Sequence, residues 1–299
     1  MNTTKRIPTL LAAAAFLSVL GSAQAQLNEA QQKCVGTLNK DGAAVAKAQG
    51  KASSGCLKAA GSEASSGAAQ ACLTADPKQR IAKKVAKAVL DDAERCADTP
   101  SFGYSGGSAA ATAAMQGSLA LFSDVFGADL DTAAVHCESQ RDRCKCQQQI
   151  WKQIDKHAAL LLKTVVKCEK NILSTAIGAS DLSKCLTDAG TSGSLAQLSV
   201  PGETLDGSVG KLAKAIIKSC DDKGVVAGSF PGACSDSSGA GLADCLDQLA
   251  RCRACQTING MNQLATDCDS FDDGTANLSC GVVPPTVAPT VTPTATATA

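Results

Sequence analysis

The sequence predicts an all-α protein: tandem disulfide-stapled helical hairpins or bundles in about two and a half repeats, followed by a disordered Pro/Thr-rich tail. Three observations predict it. Cysteines recur at matching spacings in two parts of the chain, and apolar residues recur at three- and four-residue steps. No stretch sustains the period-two alternation of a half-buried strand.

Residues 1–25 read as a signal peptide. Lys5 and Arg6 form a basic start, Leu10 to Leu20 (LLAAAAFLSVL) an apolar core, and Ala23-Gln24-Ala25 a small-x-small cleavage pattern, so the mature chain begins at Gln26. The apolar core is too short and too Ala-rich for a good membrane anchor, and no transmembrane segment is expected in the mature chain. Export fixes how the cysteines read: all 16 follow the signal, their number is even, and an oxidising compartment favours disulfides. The periplasm, the cell surface and the exterior all satisfy this expectation.

Composition explains why covalent staples would matter. Hydrophobic residues make up 44% of the chain but aromatics only 3%, and Ala and Cys supply much of the apolar share. Burial of a large side chain stabilises by roughly 1.5–3 kcal/mol, whereas Ala buries little. A native disulfide contributes about 2–4 kcal/mol, which offsets a thin core. Loss of Lys5 and Arg6 leaves 26 basic against 28 acidic residues, a formal charge of −2. That balance argues against nucleic acid as a partner, since neutralising phosphates needs a basic surface. The basic stretches KQRIAKKVAKAVL and LAKAIIK read instead as solvated faces of amphipathic helices.

Within repeat 1 (residues 26–144), Cys34 and Cys56 stand 22 residues apart, as Cys146 and Cys168 do in repeat 2 (145–252). Cys72 and Cys185 each open a CLT tripeptide, and KKVAKAVLDDAERC, ending at Cys96, parallels KLAKAIIKSC, ending at Cys220. Cys137-x6-Cys144 parallels Cys245-x6-Cys252, and residues 253–280 form a truncated third repeat. Self-similarity on this scale signals repeated supersecondary units.

Each unit reads as helical. In repeat 1, Asp76-Pro77 is an N-cap and first helical residue ahead of Ile81, Val85 and Val89, though Gly42, Gly50 and Gly55 could break the first helix. In repeat 2, Ile150, Ile154, Ala158, Leu161 and Val165 form one stripe, and Ser208 offers a cap for Val209, Leu212 and Ile216. Gly106 to Phe126, nearly uncharged and rich in small residues, reads as a buried helix. Twenty-two helical residues span about 33 Å and return to within roughly 40° of the starting face. Cys34 and Cys56 therefore lie too far apart to bond to one another. Antiparallel packing then pairs Cys56–Cys72 at the turn and Cys34–Cys96 at the open end, with Cys168–Cys185 and Cys146–Cys220 in the second unit. The other eight cysteines allow 105 pairings, among which sequence does not choose.

The motifs RCKCQ (Arg143 to Gln147) and RCRACQ (Arg251 to Gln256) fall where units meet and read as joints. Their unequal spacing disfavours a redox or haem site, and Gln256 stands where c-type attachment needs His. Residues 281–299, a Pro/Thr-rich linker or stalk, have nothing large to bury.

Candidate chemistry is sparse. GYSGG matches the nucleophile-elbow pattern at Ser105, and Asp124 or Asp131 with His136 or His157 follows in the hydrolase order, but no strand leads into the turn. Cys252 and Cys255 are spaced as a dithiol oxidoreductase pair without the βαβ context. The acidic run from Asp267 to Cys280 misses calcium-loop ligands at Phe271 and Cys280. A lone Trp151 reads as core. No metal or cofactor is expected.

The signal, the Cys-bearing helical units and the tail together make the mature chain resemble uncharacterised exported bacterial Cys-rich α-helical repeat proteins, a resemblance that carries no functional residues with it. The expected function is that of an exported, non-enzymatic, disulfide-stabilised structural or binding module of the cell envelope or exterior, with an unknown protein or envelope component as its partner. The alternatives are an exported serine hydrolase using Ser105 and a thiol oxidoreductase using Cys252 and Cys255.

Overall fold

A computed structural model describes residues 26–62, 69–187, 211–272, 275 and 277–280. The expected signal peptide, the Ser208 cap and the Pro/Thr tail lie outside these residues. The regular structure among the described residues is all helical, without strands: α1 (Glu29–Ala60), α2 (Ala69–Cys72), α3 (Arg80–Arg95), α4 (Gly107–Phe126), α5 (Leu130–Ala133), α6 (Arg141–Ile172), α7 (Ala179–Thr187), α8 (Lys211–Ser219), α9 (Gly239–Asn262) and α10 (Asp269–Asp272).

Helix α1 is the spine. Asn28 starts it with a reciprocal capping box, its side chain accepting from the Gln31 backbone N–H at 3.0 Å while the Gln31 side chain accepts from the Asn28 N–H at 3.1 Å. The helix then runs unbroken for 32 residues through Gly42, Gly50 and Gly55. Packing accounts for two of these glycines. A side chain at Gly50 would collide with the Asp155 carboxylate of α6, and one at Gly42 with Met261 of α9. The glycines lower local helix propensity by about 1 kcal/mol each, but two of them let neighbouring helices close on α1.

Helices α3, α4 and α6 pack on α1, and α9 closes over α4 and α6. Helix α4, almost free of charge, is central, with Ala110, Ala111 and Ala114 fully buried. On α6 the stripe of Ile150, Ile154, Leu161 and Val165 is fully buried. Trp151 meets Phe122 edge-on, with centroids 4.7 Å apart, and Phe126 and Phe230 extend the cluster. Four of the seven aromatic side chains among the described residues are thus gathered at one place, and much of the remaining core is Ala, Val, Leu and Cys.

Helix α3 departs from expectation. Asp76 does hold its start, accepting from the backbone N–H groups of Arg80, Ile81 and Ala82 at 2.7–2.8 Å, but the helix begins at Arg80 and not at Pro77. Ile81 and Ala88 are its buried residues, whereas Val89 is turned outward.

Eight disulfides join all 16 cysteines, and none is free. Cys34 is bonded to Cys96 and Cys56 to Cys72, fastening α1 to the end of α3 and to α2. Cys146 is bonded to Cys220 and Cys168 to Cys185, fastening α6 to the end of α8 and to α7. The remaining bridges are Cys137–Cys144, Cys234–Cys245, Cys252–Cys280 and Cys255–Cys268. The two closely spaced motifs are not joints. RCKCQ lies in the first two turns of α6 and RCRACQ in the interior of α9, and both helices continue through them. Their cysteines reach sideways to loops and neighbouring elements, which needs no break in the helix.

Candidate functional site

A small open recess of about 30 Å³ lies where α1, α4, α6 and α9 meet. Its walls are made by small residues, among them Ala46, Gly117, Ser118, Ala158, Ala159 and Ala254, which leave the space between four helices unfilled. Trp151 borders it, and the buried indole N–H has no hydrogen-bond partner. Asp155 stands beside it on α6, one turn from Trp151. Burial raises the Asp155 carboxyl to about 6, against the pull of Lys51, Lys47 and Lys156. Near neutral pH this group therefore exchanges a proton easily.

Arg253, also at the recess, is already engaged. It donates to both carboxylate oxygens of Asp124, at 2.5 and 2.8 Å, and to Gln256 at 2.7 Å. This two-pronged contact joins α9 to α4 and leaves the guanidinium little capacity for an anion. A second polar chain joins α6 to α9: buried Asp247 accepts from Arg251 at 2.6 Å and meets His157 Nε2 at 2.5 Å. His157 is half-buried in this contact.

The serine-hydrolase constellation is not assembled. Ser105 Oγ donates to the Met261 carbonyl at 2.6 Å, Asp124 is held by Arg253, and Asp131 accepts from the Ala69 backbone N–H. His136 is exposed, and among the described residues no hydroxyl or thiol hydrogen-bonds to His157. Ser105 ties the start of α4 to the end of α9. Ser105→Ala is accordingly expected to lower unfolding free energy by about 1 kcal/mol, as one lost hydrogen bond does, with native circular dichroism retained; urea titration measures it.

The dithiol alternative also fails. Cys252 is bonded to Cys280 and Cys255 to Cys268, so the two sulfurs of RCRACQ face different partners and hold no thiol. In the acidic run, Asp269 accepts from the backbone N–H groups of Leu278 and Cys280, at 2.8 and 3.0 Å, which makes it the organiser of its own loop. Among the described residues no group of three or more His, Cys, Asp or Glu side chains is placed to hold a metal ion.

A feature the motif search missed lies at the far end of α6. Glu169 is fully buried, accepting from Asn39 Nδ2 of α1 at 2.9 Å and from Asn262 Nδ2 of α9 at 3.0 Å. Burial pushes its carboxyl up to about 8. The sequence did hold a signal: the α6 stripe, continued in three- and four-residue steps past Val165, lands on Glu169 and then on Leu173, both buried. Comparison of the chain with protein-family models, with curated proteins and with solved structures finds no match.

Proposed function

We propose that this chain is an exported structural or binding module built on a rigid, disulfide-bonded helical frame. The observation that carries the reading is the joining of all 16 cysteines into eight bridges. Thiols persist in reducing compartments, so a fold that commits every cysteine belongs with an oxidising one. Among the described residues no helix is long and apolar enough to cross a membrane. The basic start, apolar core and Ala23-Gln24-Ala25 pattern supply the route out. The two catalytic alternatives have lost the contacts they require, which leaves a structural or binding role as the reading with most support.

Expression with residues 1–25 intact, in a bacterial host, tests it. Protein recovered from the periplasm or medium is expected to begin at Gln26 and to show no reactive thiols in denaturant, read by N-terminal sequencing and thiol titration. Retention of a full-length chain in the cytosol with titratable thiols would sink the proposal. The repeat boundaries at 144 and 252 belong to the same proposal: they mark duplicated sequence units, while α6 and α9 continue structurally past them.

A further inference from the structure

Helix α3 covers little of itself. At 100° per residue, Ile81, Val85 and Ala88 share the face turned to α1 and α4. Ala82, Ala86, Val89, Leu90 and Ala93 spread over an adjoining arc of about 100°. All five are exposed, Leu90 at 61% and Val89 at 44%. The apolar side of this helix is thus broader than the contact it makes, and half of it faces outward.

Charge along α3 is divided. Lys78, Arg80, Lys83, Lys84 and Lys87 occupy the stretch leading into it and its first half; Asp91, Asp92 and Glu94 occupy its second, which ends on Arg95 beside Asp91. Asp92 is taken by Tyr104 and the Gly107 N–H, and Lys87 and Asp91 pair with each other. Lys83 and Glu94 are exposed and make no ion pair with another described residue, and both lie on the flank just beyond Leu90.

We infer that the outward face of α3 is a self-association surface, pairing antiparallel with α3 of a second copy of this chain across a two-fold axis near Ala88 and Val89. A two-fold contact must be complementary to itself. Here the basic half of each helix meets the acidic half of the other. An antiparallel pair matches like flanks, so Lys83 faces the second copy's Glu94 at both ends of the seam. Leu90 lies over the ridge of small residues around Ala86, where alanine lets the two backbones approach. A lipid surface is favoured less, because the acidic half would be repelled by anionic headgroups.

The contact is modest. Sixteen residues give a helix about 24 Å long, short of the roughly 800 Å² per partner of a standard interface, so the dimer is weak and depends on concentration and salt.

Sedimentation equilibrium on the mature, disulfide-intact protein up to about 300 μM, a range that reaches weak dimers, tests the inference. Association is expected at low salt. Leu90→Glu is expected to weaken it at least about tenfold, as a central interface residue does. Lys83→Glu and Glu94→Lys should each weaken it, and the double swap should restore it. Leu90 is exposed, so its replacement leaves folding intact, which circular dichroism verifies. A monomer throughout the range, a dimer indifferent to Leu90→Glu, or a double swap no tighter than the single variants overturns the inference.

Discussion

Complete reduction and alkylation is expected to unfold this protein at room temperature, with loss of most far-ultraviolet helical signal and a red shift of Trp151 emission. Two facts decide the size of the effect. First, the core is thin for the chain's length: the largest fully buried side chains are Trp151, Phe122 and Phe126, followed only by Leu and Ile. Second, the bridges close long loops. Cys34–Cys96 spans 62 residues and Cys146–Cys220 spans 74. In the chain-entropy account, loops of that length stabilise by about 4 kcal/mol each, and the shorter ones by about 2.5–3.5 kcal/mol. The bridges share sequence, so these figures do not add in full. Yet two long loops alone approach the whole stability of an ordinary domain, roughly 5–15 kcal/mol. Trp151 reports the outcome cleanly, because it is the only tryptophan and is 1% exposed in the intact fold. If helicity and the melting midpoint are unchanged after every bridge is cut and capped, the frame rests on its apolar contacts and not on sulfur.

The helical class was legible because its signals are local. The α6 stripe at Ile150, Ile154, Leu161 and Val165 is buried as its spacing requires, and the small, uncharged run of α4 is central for the reason its composition suggests. What failed was inference about continuity. Glycines in α1 read as breakers because propensity counts only the helix itself; the Asp155 side chain pressed against Gly50 is a tertiary fact that propensity does not contain. RCKCQ and RCRACQ read as joints because they fall where one repeat closes and the next begins, but a boundary between sequence units need not be a break in a helix. A helix accommodates them: Cys144 and Cys146, two apart, point to nearly opposite sides, while Cys252 and Cys255, three apart, lie one turn apart on one side and bond to different cysteines of the following segment. Spacing alone sets Val89 on one side with Ile81 and Val85, but which of them is covered depends on how the helix is rotated on its neighbours, and Val89 is 44% exposed. The candidate recess was the least legible part. It is defined by residues too small to fill a four-helix junction, and smallness on four separate helices leaves no motif.

Stability is also expected to fall as pH rises from about 4.5 to about 8, with Glu169 the main cause. The carboxyl is fully buried between two amide donors, Asn39 and Asn262. No cation faces it. On α1, Asp41 turns to Lys87 and Lys40 is exposed; on α6, Lys167 and Lys170 are exposed; on α9, Arg253 is committed to Asp124. Asn262 Oδ1, moreover, is buried without a partner. Rotating that amide by half a turn brings its oxygen to Glu169, where a protonated carboxyl can donate to it. The neutral acid thus keeps a hydrogen bond with Asn262 in either orientation of the amide, without the cost of a buried charge.

The sign follows from the folded pKa of about 8 lying above the ordinary 4.5. Between those values the native state holds a proton that the unfolded chain has released. Stability from this group is complete below pH 4.5 and is lost at up to about 1.4 kcal/mol per pH unit until the folded carboxyl itself ionises. Asp155, raised to about 6, acts in the same direction and is exhausted earlier. The exposed carboxylates Glu29, Asp181 and Asp267, lowered by hydrogen bonds to neighbours, act oppositely and only at acid pH. With no free thiol to exchange with the disulfides, urea titrations can be carried through pH 8.5 on intact protein. Glu169→Gln keeps an acceptor for Asn39 and gains a permanent donor for the turned Asn262. It should match the wild type near pH 5, exceed it by several kcal/mol near pH 8, on the scale of that slope, and flatten the profile between. Glu169→Ala should be destabilised by about 2–4 kcal/mol at pH 5, since two buried amides lose their partner. A Gln variant that retains the full wild-type slope would mean that some other buried group carries the proton.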